Sequence, residues 1–100
     1  MPIAAMVDNP TVNAEIYDQI RQHLGIEGPA GGYVHVAGPG PNGWRVIELW
    51  ESEDDARRFY AERLGPAFAA VGVEGGPPQP QFWPVHNFMT APTREPAARI

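Results

Sequence analysis

One hundred residues with 43% hydrophobic and 19% charged side chains describe a single globular domain with one core, not a disordered chain. A net charge of −5, with only seven basic residues scattered along the chain, offers no stripe for a phosphate backbone and argues against nucleic acid or an anionic membrane as partner. The absence of cysteine excludes disulfides, thiolate metal sites and thiol nucleophiles, and fits a reducing, cytoplasmic location.

Pro2–Val7 is short and apolar on both parities, which predicts a central strand covered on both faces. Asp8-Asn9-Pro10-Thr11 then carries helix-start chemistry, with Asn9 and Thr11 as rival caps. Val12, Ile16, Ile20 and Leu24 follow at a spacing of four, so a first helix runs to a C-cap at Gly25. Gly28–Gly32 breaks the chain. Tyr33–Ala37 and Trp44–Trp50, rich in β-branched and aromatic residues, predict a hairpin around Gly38–Gly43, a turn segment lying outside the sheet. Within it, Asn42-Gly43 is expected to supply the positive φ angles of the return turn, and the two prolines to end the ladder. Ser52-Glu53-Asp54-Asp55 offers a capping hydroxyl and three carboxylates to a second helix carrying Ala56, Phe59, Tyr60, Arg63 and Leu64 on one face. Gly65-Pro66 interrupts that helix, leaving Pro66–Val71 as a separate or kinked piece. After a polar, proline-rich connector, Gln81–Thr90 returns to strand type, with Pro84 demoting it to an edge or bulged strand. Ala91–Ile100 has no period and is expected to form a flexible tail beyond a domain spanning residues 1–90.

The predicted order, β-α-β-β-α-β, is the split βαβ pattern of an α+β, ferredoxin-like domain with a four-stranded antiparallel sheet. No apolar run approaches 18 residues and the N-terminus lacks a basic-then-apolar order, so neither a membrane span nor a signal peptide is expected. At this size folding buries roughly 60–68% of the accessible surface, and a sheet with helices on one face leaves its other apolar face uncovered; a homodimer is expected.

Residues Gly43–Ser52, GWRVIELWES, followed by Phe59 and then Leu64-Gly65-Pro66, resemble the dimeric α+β barrel superfamily, specifically the small proteins similar to antibiotic-biosynthesis monooxygenases. The resemblance covers residues 2–90. It implies two ferredoxin-like protomers pairing their sheets into a barrel, each with a cavity between sheet and helices. Its members include cofactor-free oxygenases of polyphenols, aromatic polyketide cyclases, haem-degrading enzymes, lactone isomerases and proteins with no known activity, so fold alone does not choose among them. The haem-degrading branch uses an asparagine in the first strand, and Ile3–Val7 has none.

If Ala37 lies opposite Trp44, Tyr33 faces Glu48, His35 faces Val46, and Tyr33, His35, Glu48 and Trp50 share one side of the sheet. A carboxylate, an imidazole and a phenol among aromatic residues suit proton abstraction from an acidic phenol or activated carbon. The same residues serve equally as satisfied polar groups of a barrel interior or dimer interface. His86, on the closing strand at the same parity as Phe82 and Phe88, is either a second base or a water-facing edge histidine; His23 suits the C-terminal end of the first helix. The three histidines show no metal-ligand spacing, and neither a metal nor another cofactor is expected. Tyr17, Tyr33, Trp50, Phe59, Tyr60 and Trp83 are candidates to wall a site for a small aromatic ligand, with Trp44 and Phe68 beside them; aromatic residues of this kind also fill cores. Two functional expectations result. One is a cofactor-independent monooxygenase or cyclase of an aromatic or polyketide-type substrate, with His35 or His86 as base and Glu48 beside it. The other is a non-catalytic ligand-binding or accessory barrel.

Overall fold

The computed structural model describes residues 2–90, so the expected tail, Ala91–Ile100, lies outside the described residues. Four strands, β1 (Ile3–Asn9), β2 (Gly32–Gly40), β3 (Gly43–Trp50) and β4 (Gln81–Pro84), form one antiparallel sheet in the order β2-β3-β1-β4. β1 is central, as its two-sided apolar character requires, and Ala4 and Ala5 on its opposite faces are both buried. It runs two residues further than the sequence pattern indicates, to Asn9, so the first strand does contain an asparagine.

Helix α1 (Ala14–Leu24) is capped by Asn13, whose Oδ1 accepts from Ile16 N at 2.9 Å, and not by Asn9 or Thr11. The two expected caps are occupied with each other. Asn9 Oδ1 accepts from Thr11 N and Oγ1 at 2.9 and 2.7 Å, closing a turn at the end of β1. Asn13 is then the next short polar side chain available to the orphan N–H groups of the helix. Gly25 closes the other end, its N–H donating to Arg21 O.

The hairpin differs from its prediction in two ways. Gly38–Gly40 and Gly43 lie within the ladder, with Gly40 opposite Gly43, so only Pro41 and Asn42 form the turn. β2 is an edge strand, where Pro39 removes a donor without breaking an inner ladder. Gly43 alone takes a positive φ, +111°, and a Cβ there would stand 2.6 Å from Asn9 O; Asn42 keeps a negative φ. The register is therefore Ala37 opposite Val46 and His35 opposite Glu48, two residues from the expected pairing. A shift of two preserves side-chain parity, so His35, Glu48 and Trp50 still share a face. Tyr33 is the extra residue of a bulge between the Gly32–Trp50 and Val34–Leu49 pairs.

Ser52 caps α2 (Glu53–Phe59) as predicted, accepting from Asp55 N at 3.1 Å. The chain stays helical past Phe59 through a π-helical turn, Tyr60–Leu64, into α3 (Gly65–Val71). Pro66 has no N–H for the α-helical ladder and its ring crowds the carbonyl one turn back, whereas Gly65 N–H reaches back to Tyr60 O in the wider turn. β4 is shorter than predicted. Pro84 cannot donate, Val85 N makes the last bond to Pro2 O at 3.0 Å, and His86 falls outside the strand.

Two apolar clusters hold these elements together. Val12 and Ile20 meet Ala67 and Phe68 between α1 and α3, while Ala5, Trp50 and Ala56 meet Phe59, Tyr60 and Phe82 between sheet and α2.

Candidate functional site

The alternation of β3 places Trp44, Val46, Glu48 and Trp50 towards the helices, where they line a cavity of about 350 Å³. β1 contributes Val7 and Asn9, α1 contributes Tyr17, Ile20 and Arg21, and the second helical stretch contributes Phe59, Tyr60, Leu64 and Phe68. Tyr33 and His35 come from β2, and Ile26, Pro29, Pro77 and Pro78 from the loops. The volume is within the range that holds a small organic ligand.

Glu48 is the organising group of this wall. Its side chain is only 9% exposed, and three donors converge on it: His35 Nδ1 at 3.0 Å on Oε2, with Trp50 Nε1 at 3.0 Å and the Tyr60 hydroxyl at 2.7 Å on Oε1. Burial pushes the carboxyl pKa up, but the hydrogen bonds from His35, Tyr60 and Trp50 outweigh it and hold the group below its ordinary value. Glu48 is thus a carboxylate near neutral pH. Burial, and then the neighbouring Glu48 charge, push the Tyr60 hydroxyl in the opposite direction, well above the usual phenol range.

A carboxylate only accepts, so the bond at Oε2 assigns the proton to His35 Nδ1. In the neutral imidazole Nε2 is then an acceptor, and the Tyr17 hydroxyl lies 2.6 Å from it. Burial raises the Tyr17 pKa, with Glu48 adding to the rise and Arg21 opposing it, so this phenol keeps its proton and donates. Tyr17, His35 and Glu48 form a continuous chain from helix to sheet, with the Tyr17 and His35 rings stacked at 6.0 Å. The His35 side chain remains 40% exposed, so the chain reaches solvent at the β2 edge. The arrangement can accept a proton from a ligand hydroxyl: it passes to Tyr17 O as the Tyr17 proton moves to His35 Nε2, and Glu48 balances the resulting imidazolium.

Of the residues singled out in the sequence, His35, Glu48, Tyr17, Tyr33, Trp50, Phe59 and Tyr60 all border this cavity. Two do not. Trp83 lies on β4 with nearly half its surface exposed, and His86, expected on the closing strand, follows that strand and is exposed. Tyr33 sits at the bulge and donates to Glu51 Oε1, not to the Glu48 group. Arg21, Asn9, Pro77 and Pro78 were not legible as wall residues. Only Asn9 had a signal, because adding two residues to β1 places it at the parity of Val7. Its carboxamide oxygen is committed to Thr11, and both His35 ring nitrogens are engaged, so the side chains present are not poised as iron ligands. Among the described residues no helix is long and apolar enough to cross a membrane.

Comparison of the chain with protein-family models, curated proteins and solved structures returned no match. The fold and the site define the class: a small α+β domain with a ligand-sized aromatic cavity and a hydrogen-bonded Tyr–His–Glu chain along its wall.

Proposed function

We propose that this chain is a small-molecule-acting, ferredoxin-like barrel protein that removes a proton from an aromatic or polyketide-type substrate without a cofactor, as a monooxygenase or cyclase of the antibiotic-biosynthesis type. The observation that carries the reading is the Tyr17–His35–Glu48 chain at the edge of the 350 Å³ cavity. In this reading a phenolic hydroxyl of the substrate gives its proton to the chain, and its electron pair enters the ring and makes a ring carbon nucleophilic. In a cyclase that carbon attacks a carbonyl of the same molecule. In a monooxygenase it meets dioxygen, one oxygen atom staying on carbon as a carbonyl and the other leaving as water. Phe59, Tyr60, Trp50 and Tyr17 offer flat walls to such a ring system.

The strand order β2-β3-β1-β4 supports the ferredoxin-like assignment. The uncovered face of the sheet, where Val34, Val36, Ile47 and Trp83 are each more than a third exposed, supports pairing with a second copy into a barrel.

A non-catalytic ligand-binding or accessory barrel is the second reading, favoured by one observation: Glu48 has a full set of partners within the protein, as a structural carboxylate does. Binding of a hydroxylated naphthalene probe across pH, with thermal stability, separates the two in wild type and His35→Ala. The catalytic reading expects the wild type to bind the probe increasingly as its phenolate, shown by a red-shifted absorbance that His35→Ala abolishes while melting is little changed. A bound probe that keeps its proton in both proteins would leave only the accessory reading.

A further inference from the structure

α1 turns Tyr17, Ile20, Arg21 and Leu24 to the cavity, at the spacing of three and four that defines one face of a helix. Three of these are the apolar or aromatic residues such a face calls for, and the fourth is an arginine. The helix keeps its other polar residues of this stretch, Asp18, Gln19 and Gln22, exposed and outside the wall. Burial raises the pKa of the Tyr17 hydroxyl, and the Arg21 charge, one helical turn further on, opposes that rise more strongly than Glu48 or Asp18 adds to it. The charged end of the arginine, and not its stem alone, therefore stands near that hydroxyl.

The protein itself does not use this charge. Among the described residues, Arg45, Arg57 and Arg58 each pair with a carboxylate, and Arg63 donates to the Leu24 and Glu27 carbonyls. Arg21 has no such partner among them, although Asp18 lies three positions before it, where a helical ion pair could form. The chain carries a net charge of −5 and the wall contains the Glu48 carboxylate, so an anionic ligand is repelled unless a cation meets it. A guanidinium stays charged across the working pH range, and its planar fork matches the two oxygens of a carboxylate. A carboxylate can lie flat with the ring that bears it, which suits a site walled by aromatic side chains; a tetrahedral phosphate cannot.

We propose that Arg21 holds the carboxylate of a flat aromatic acid, so that the ligands of this cavity are aromatic carboxylates. The proposal rests on the cavity being a ligand site, and it adds the charged group the ligand carries. A carboxylate on Arg21 also fixes which edge of the ring meets the Tyr17 hydroxyl, bonded in turn to His35.

The test titrates the full chain with 2-naphthoate and 2-naphthamide, probes of the same shape with and without the negative charge, by calorimetry near neutral pH. Neither probe carries a hydroxyl, so the outcome does not depend on proton transfer to the Tyr17–His35–Glu48 chain. The wild type is expected to bind naphthoate about tenfold more tightly than naphthamide, the worth of one charge-assisted contact. Arg21→Gln is expected to erase that preference by weakening naphthoate alone, with melting temperature unchanged because Arg21 is exposed. Arg58→Gln removes the same charge from outside the wall and is expected to keep the preference. Equal affinity of the wild type for both probes, a preference that survives Arg21→Gln, or equal weakening of both probes by it would overturn the proposal and leave the ligand site standing. Loss of the preference in Arg58→Gln as well would overturn it too, by assigning the effect to net charge. If neither probe binds the wild type, the ligand-site reading itself falls and takes this proposal with it.

Discussion

Each of the two faces of the sheet departs from the usual rule in one place. An antiparallel sheet commonly turns apolar residues to the core and polar ones to water. Here the helix-covered face buries Glu48 with His35 beside it, while the opposite face presents Val36 and Ile47, 50% and 38% exposed. Each departure needs its own explanation. A buried carboxylate survives because three donors meet it, and an exposed apolar patch persists in a protein of this size most readily where another surface covers it. On the open face the charged side chains are also paired: Arg45 Nε and a second guanidinium nitrogen hold both oxygens of Asp8, at 2.8 and 2.9 Å. That contact keeps the Asp8 carboxyl below its usual range.

The comparison breaks most sharply at Glu48. Glu48→Ala strands Trp50, Tyr60 and His35 without their acceptor, and a loss of about 3 kcal/mol is expected. In a domain of this length that corresponds to a fall of roughly 10–20 °C in melting temperature, read by circular dichroism. A fall of a degree or two would show that the convergence of donors adds little.

On the other face, Ile47→Glu places a charge in the centre of the exposed apolar patch. Sedimentation of the wild type at micromolar concentration is expected to show a dimer, and Ile47→Glu a monomer, through loss of about 2 kcal/mol or more of apolar burial. A wild-type monomer, or a variant dimer, would remove the barrel from the reading.

Proton concentration acts on the covered face from both ends. Glu48 is held below its ordinary pKa of 4.5, so its contribution is fully present above that value and is lost as pH falls through the lower, folded-state value. Tyr17 and Tyr60 are raised above 10, so their contribution is present below pH 10 and lost as pH climbs towards their folded values. Melting temperature measured from pH 3 to 11 should therefore show a plateau with a fall at each end. Absorbance of tyrosinate at 295 nm should show Tyr17 and Tyr60 ionising only as the fold is lost; early ionisation of all three tyrosines would contradict the environment described.

The smallest stability change is expected at His35. Its side chain is 40% exposed, so its pair with Glu48 is screened and His35→Ala should cost only about 0–1 kcal/mol, while removing the group that takes the ligand proton. A loss as large as that of Glu48→Ala would assign His35 to the framework.

What the residues declare locally, they declared well. The cap at Ser52, the stop at Gly25 and the central placement of Ile3–Val7 each depend on groups within a few positions, and the structure has all three. Parity is equally local: residues two apart on a strand share a face, so Glu48 and Trp50 were legible as neighbours, and a two-residue error in register did not separate them from His35. The direct opposition of His35 and Glu48 was available too, by counting back from the two glycines that flank Pro41-Asn42. The turn composition drew attention to Asn42-Gly43 instead.

Other features could be settled only by the assembled fold. The true cap of α1 depended on Asn9 and Thr11 bonding to each other, and the length of β4 on where Pro84 met β1. Tyr60 reaches Glu48 across twelve positions of chain because a π turn begins at Tyr60, and Tyr17 reaches His35 across eighteen because α1 crosses to the β2 edge. Trp44, whose side chain reads as apolar packing in the sequence, holds the one buried side-chain nitrogen among the described residues that finds no partner, through what packed around it. Caps and periodicity are written in covalent neighbours, whereas a buried polar group acquires its chemistry from elements brought to it through space. For this chain the sequence determined which residues face the same way, and the tertiary structure decided which of them touch.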